Sequence, residues 1–219
     1  MSVETPTVLG PAEVAPGHRF SDPEHARTDQ ATMAMMLERF ADVLAAAGEI
    51  PEPIVDYCPS HDQWNRRVMI PEPSVFQGGQ VVTVVGFFGS RRHGVTTEMC
   101  ERIQQLSDSL FLAIPTVPGV WGYITQLLVD GFNYANVVLV DSPEVILRWR
   151  ETAPHAVAAS VVSPEYYEHV RIYNGEVPVR RLGDSSALDL RSVKYWDFKE
   201  TPAWTAVRHY RPRTGAAPS

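Results

Sequence analysis

Of the seven histidines, His155 has the setting best suited to chemistry, because it follows Trp149 in a segment whose apolar helical face can enclose a space. A neutral imidazole is a good ligand for iron, and a single axial histidine is a common anchor for haem. The same residue also fits a partly exposed side chain on a helical turn begun by Pro154. Asn136 lies between Ala135 and Val137 in a β-branched run, where a polar side chain needs a partner. It can donate to a ligand oxygen or bond to a neighbouring backbone group. Arg91 and Arg92, with His93, follow another such run and can receive a carboxylate or a haem propionate, or stand solvated in a turn. Trp121, Tyr123, Tyr166, Tyr167, Trp196 and Trp204 supply aromatic surface for a pocket or a core.

The elements that position these residues are legible from periodicity. Residues 31–47 place Met33, Met36, Leu37, Phe40 and Leu44 at helical spacing, and Gly48 and Pro51 end that helix. The proline-rich stretch 51–79 has no sustained period and reads as extended coil wrapping a body. QVVTVVGFFGS is β-branched and strand-like, and its glycines suit a bulge or a close backbone approach rather than a phosphate loop. Met99, Ile103, Leu106 and Leu110 then form one apolar helical face, with Thr96 or Thr97 as cap. VWGYITQLLVDG and NYANVVLVD are two strands joined by a short turn. Ser142, Pro143 and Glu144 start a second helix that uses Val145, Ile146 and Trp149 inward and breaks near Pro154. YYEHVRIY supplies the fourth strand.

Strand, helix, two strands, helix, strand is the βαββαβ pattern of an α+β ferredoxin-like domain, with a four-stranded sheet and both helices on one face. The other face is expected to be bare and apolar, so two copies, or this chain and a related one, are expected to close into a dimeric α+β barrel with a ligand cavity between the sheets. The expected organisation is a mobile arm over 1–30, a helix and extended wrap over 31–74, the barrel half over 75–183 and a C-terminal extension over 184–219.

Composition restricts the function. Hydrophobic residues make up 44% of 219, enough for a packed core, and the net charge of -7 disfavours nucleic acid as a partner. Lys199, Arg208, Arg211 and Arg213 form a basic cluster that a solvated tail explains. Cys58 and Cys100 make no metal-like spacing and read as buried thiols in a reducing, cytoplasmic setting, with neither a signal peptide nor a membrane span. Gly-x-Gly-x-x-Gly, Walker, His-Glu-x-x-His, CxxC and Gly-x-Ser-x-Gly motifs are absent, which argues against nucleotide-dependent and zinc-hydrolase chemistry.

Taken in order, CPSHDQWNRRVMIPEPSVF, VVTVVGFFGSRRHG, NYANVVLVDSPEVILRWRETAPH, VVSPEYYEHVRIY and VKYWDFKETP resemble the haem-containing dehydratase family, which includes the aldoxime dehydratases. The least generic part is Cys58-Pro59 followed by Arg66 and Arg67 before Pro71 and Pro73. The resemblance covers the first of that family's two repeats. It implies haem b, a lyase that dehydrates aldoximes to nitriles, and a small organic nitrogen compound as substrate. It also implies His155 near the position of the iron ligand and Asn174 where a distal histidine would stand, whereas the catalytic arginine expected after Tyr195 and Trp196 is replaced near Pro202. An alternative resemblance is to the cofactor-free antibiotic-biosynthesis monooxygenases, which share the dimeric barrel and the Ser-Pro-Glu helix start. In that reading Asn136 and Trp149 orient an aromatic substrate. A third reading is a non-catalytic subunit that completes a barrel with a related chain.

Overall fold

The β-branched runs become strands of a single sheet, seen in a computed structural model that describes residues 5–48, 53–59, 64–151 and 153–210. Pro51, Arg211 and Arg213 lie outside the described residues. In chain order the elements are β1 (Thr7–Leu9), α1 (Pro23–Ala47), β2 (Ile54–Pro59), β3 (Trp64–Ile70), β4 (Val81–Arg91), α2 (Thr97–Ala113), β5 (Val120–Leu127), β6 (Tyr134–Val140), α3 (Pro143–Arg150), α4 (Ala153–Val157), a π-helical turn (Ala158–Val162), α5 (Ser163–Tyr166), β7 (Tyr167–Pro178), β8 (Asp189–Asp197) and β9 (Trp204–His209).

The sheet order is β1-β9-β8-β7-β4-β6-β5-β3-β2. Its centre, β7-β4-β6-β5, is antiparallel throughout and carries the expected ferredoxin-like βαββαβ connectivity. The chain is therefore an α+β protein with an N-terminal helix and a C-terminal extension. Thr96 caps α2 by accepting a hydrogen bond from the Met99 amide at 3.3 Å. The second helix breaks after Arg150 and restarts at Ala153, beside the proline that cannot donate to it.

Three expectations are corrected. First, residues 54–59 and 64–70 are paired strands, not a coil: β2 pairs with β3, and β3 extends the sheet at β5. The prolines sit at the ends of these strands or beyond them, where no ladder donor is lost. Second, residues 7–22 are not an arm. β1 pairs in parallel with β9, Leu9, Ala15, His18 and Phe20 are buried, and α1 begins at Pro23 with Asp22 accepting from the Glu24 amide. Third, the sheet face expected to be bare is covered by the same chain. Met33, Met36, Leu37 and Phe40 of α1 are at most 2% exposed and pack on Val68, Val84, Ile124, Val137 and Leu139. Each such side chain stabilises by about 2 kcal/mol through burial. The apolar face that called for a second sheet is thus satisfied intramolecularly.

Two glycines make that docking possible. A Cβ on Gly86 would lie 2.5 Å from Met33 Sδ, and one on Gly122 would lie 2.4 Å from the Phe40 ring. The expectation of a close approach at the glycines of GFFG is met at Gly86 by α1, and at Gly89 by the Tyr167 ring, 2.4 Å from the corresponding Cβ position.

His169 on β7 contributes a pH-dependent term. Its ring stacks on Phe20 with centroids 4.4 Å apart, and its Nδ1 is buried with no hydrogen-bond partner among the described residues. Burial, aided by Arg171, pushes its pKa down from 6.5 to about 4. Between those values the unfolded chain binds a proton that the folded chain refuses, so stability falls as pH drops from 6.5 to 4 and levels off below. A shift of this size is worth about 3 kcal/mol for a fully buried ring and about 2 kcal/mol for this half-buried one after solvent screening. His169→Phe should remove that part of the slope in urea melts at successive pH values. An unchanged slope in the variant would contradict the assignment.

Candidate active site

Alternation along the strands sends one set of residues toward α1 and the next toward α2 and α3–α5. On the helical side the register aligns Arg67, Thr125, Asn136, Phe87, Ile172 and Lys194 in one row across β3, β5, β6, β4, β7 and β8. At the usual interstrand spacing this row is about 24 Å long and carries a cation at each end. The adjacent row contains Tyr123, Val138, Val85 and Asn174. Between these rows and the helices lies a cavity of about 490 Å³, within the roughly 300–1,000 Å³ typical of small-molecule sites. The expected hollow exists, but it lies between sheet and helices of one chain instead of between two sheets. The helices of the split pattern are held off the middle of the sheet, while Phe111, Ile114, Val145 and Trp149 pack against it at the β5–β6 side.

Of the residues singled out from the sequence, Arg91, Asn136, Trp149, His155 and Asn174 line this cavity, as do Tyr123, Tyr166, Tyr167 and Trp196, whereas Arg92, His93, Trp121 and Trp204 do not. His155 sits on α4, with its ring centroid 5.5 Å from that of Trp149. Its Nδ1 is buried and has no hydrogen-bond partner among the described residues. Burial and the neighbouring Arg150 charge lower its pKa, so the imidazole is neutral at physiological pH, with one ring nitrogen free to accept or ligate while the other keeps its proton. A π-helical turn follows immediately, an arrangement common beside functional sites.

Asn136 accepts a hydrogen bond from the Tyr123 hydroxyl at 2.9 Å, which leaves its amide N–H groups to donate. Burial pushes the Tyr123 phenol up to about 12, so it stays a donor at ordinary pH. Asn174 makes a long contact, 3.5 Å, with Ser192 Oγ. The Arg91 guanidinium lies 4.9 Å above the Phe132 ring and 3.9 Å from Cys100 Sγ, while its backbone N–H donates to Asn133 Oδ1. Arg92 is structural: it donates to the carbonyls of Pro164, Tyr167 and Phe198 and so ties α5 to the ends of β7 and β8. His93 is exposed and does not line the cavity. Cys58 and Cys100 are free thiols, half-buried instead of buried as expected.

Sequence reasoning did not place Arg67 or Lys194 at the site. Arg67 is 3% exposed, donates to Asp108 at 2.6 Å and Ser107 at 2.7 Å, and lies 4.6 Å over the Phe111 ring. Burial pulls its pKa down to about 10 against the opposing effects of Tyr123 and Asp108. The available signal was a polar residue at one strand position in each of several apolar runs, namely Thr125, Asn136, Asn174 and Lys194. Register turns these separate residues into neighbours.

Sequence comparison identifies no relative: no family model and no curated protein matches the chain. Among solved structures, a dimeric ferredoxin-like protein of unknown function from Thermobifida fusca is 15% identical, with a TM-score of 0.35 over 43% of this chain and 89% of that one. Protein SO0527 from Shewanella oneidensis is 18% identical, with a TM-score of 0.36 over 45% of this chain and 94% of that one. Similarity at this level adds nothing to the fold assignment, which rests on the strand order. Among the described residues no helix is long and apolar enough to cross a membrane.

Proposed function

We propose that the chain is a haem-binding lyase that acts on a small organic nitrogen compound in the sheet–helix cavity, in the manner of the aldoxime dehydratases. The observation that carries this reading is His155: a neutral imidazole with an orphaned buried Nδ1, on the wall of a cavity of about 490 Å³. His155 would serve as an axial ligand to haem b, and Arg91 from the sheet and Arg150 from the helical layer, which both line the cavity, would receive the two carboxylates of the macrocycle. Haem would supply an iron centre that polarises an N–O bond. Asn136, held by Tyr123, would donate to the oxygen leaving as water, and Asn174 would orient the substrate from the next row. Trp149 would pack against the ring system. The helical layer excludes bulk water and so strengthens each of these polar contacts.

Absorption spectroscopy tests this directly. Protein reconstituted with haemin should show a Soret band that His155→Ala shifts or abolishes, together with at least a hundredfold loss of aldoxime dehydration. A colourless protein after reconstitution would sink the haem reading. The Tyr123–Asn136 hydrogen bond on the cavity floor favours a second reading, a cofactor-free oxygenase in which Asn136 and Trp149 orient a phenolic substrate. Oxygen uptake with hydroxyaromatic compounds by the colourless protein would favour it. The proposed homodimer is supported by the edge strand β2, where Val55 and Tyr57 are 44% and 53% exposed, and is read by light scattering as twice 24.4 kDa.

A further inference from the structure

The charge of the cavity wall runs against that of the protein. The sequence holds 26 acidic and 19 basic side chains, yet the described residues that line the cavity include three arginines, one lysine and no carboxylate. Arg67 is matched by Asp108 from outside the lining. Arg91, Arg150 and Lys194 form no ion pair among the described residues. The acid whose charge Arg91 helps to stabilise, Asp130, is engaged by the backbone N–H groups of Phe132 at 3.0 Å and Asn133 at 2.9 Å. Arg150 and Lys194 are exposed, Arg91 is half-buried and Arg67 is buried, so positive charge extends from solvent to the floor. The surfaces between these cations are mostly apolar or aromatic, including Phe87, Leu110, Trp149, Ile172 and Trp196, interrupted by neutral polar groups such as Thr125, Asn136 and Asn174.

From this segregation we infer that the cavity selects an organic anion, a carboxylate or comparable oxyanion carried on a flat apolar body, and discriminates against neutral molecules of the same shape. The inference rests on the reading of the cavity as the site but not on which chemistry occurs there. Cations without ion-pair partners around a concave, low-dielectric wall concentrate the field inside it and attract anions from solution. A guanidinium then meets the carboxylate with charge-assisted hydrogen bonds that an amide isostere cannot reproduce. The anion can belong to a substrate or to a carboxylate-bearing cofactor, and the two sources are separable by experiment.

Calorimetric titration of the full chain with naphthalene carboxylate and with the corresponding carboxamide tests the inference. The acid should bind roughly tenfold or more tightly than the amide, and its advantage should shrink as sodium chloride is raised. Arg150→Gln and Lys194→Gln, both at exposed positions, and Arg91→Gln should each narrow the gap. Displacement of the acid by haemin would support the inference with the cofactor as anion source, and simultaneous binding would support it with a substrate as source. Equal affinities for acid and amide, or no binding of the acid at millimolar concentration, would overturn it. Absence of a Soret band with the acid preference intact removes the haem proposal alone.

Discussion

Arg208→Ala is expected to destabilise the protein by about 4 kcal/mol and to lower its melting temperature by roughly 8–16 °C. Arg208 is 0% exposed, and its guanidinium holds together segments that are nearly the whole chain apart. It donates to the carbonyls of Gly10 at 3.1 Å and Ser21 at 2.9 Å, to that of Glu13, and to the Tyr195 hydroxyl at 2.7 Å. Alanine at this position would leave three carbonyl groups and a phenol short of a donor around a new cavity, and each buried unpaired group costs about 1–3 kcal/mol. The loss should be concentrated in the N-terminal segment. Amide exchange should rise first over residues 7–21, where β1 and Phe20 lose their anchor, and later over the central strands. A destabilisation below about 1 kcal/mol would mean that apolar packing of Leu9, Ala15 and Phe20 is enough to hold that segment.

The second large effect is expected at the polar anchor of α1. Asp29 is 5% exposed and accepts two hydrogen bonds from Arg171, at 2.6 and 3.1 Å, and one from the Tyr173 hydroxyl at 2.7 Å. Asp29→Ala leaves the Arg171 charge buried opposite an apolar helix, and breaking such a pair costs about 3–5 kcal/mol. Removing both charges at once is different. Asp29→Ala with Arg171→Met has no stranded charge, so the double variant should be at least 2 kcal/mol more stable than the sum of the two single effects predicts. Additive single effects in urea denaturation would show that the pair is not coupled. Because α1 covers the sheet opposite the cavity, the Asp29→Ala variant should also loosen the strands that hold Asn136 and Asn174, which would be read as weaker binding of the naphthalene acid.

Much of the centre was legible before any coordinates. The segments from Val81 to Pro178 have a period of two or about three and a half, bounded by turn residues, and such local patterns report local hydrogen bonding. Thr96 as a cap and the end of α3 at Arg150, ahead of Pro154, follow from the same local chemistry. The pairing of β2 with β3 was hidden because the neighbouring prolines suppress the strand signal, although they fall at the strand ends or beyond. The N-terminal segment was hidden for another reason. Its buried residues, Leu9, Ala15, His18 and Phe20, follow no period, and the groups that fix them lie on β8 and β9, more than 170 positions away.

The five candidate site residues line one cavity, Arg91, Asn136 and Asn174 from the sheet and Trp149 and His155 from the helices, yet the sequence alone supplied no account of why they meet. Asn136 and Asn174 were visible as polar residues in apolar strands. Arg67 and Lys194 were not distinguishable from surface cations, because only the register of β3 with β5 and of β7 with β8 brings them into line.

By itself the amino-acid order determined the central βαββαβ succession, the stiffness of its strands and the chemical types that point to alternate sides of them. Tertiary structure alone decided which side is filled. Strands that are apolar on both faces say that two layers must cover them, but not whether each layer comes from a second chain or from the ends of the same one. Here α1 and the N-terminal segment seal one face through Met33, Phe40 and the Arg208 hydrogen bonds, while the helices on the other face leave the cavity that the sequence had placed between two sheets. The physical reason is that covering a sheet face is a long-range choice between competing apolar surfaces, and local periodicity carries no record of the winner.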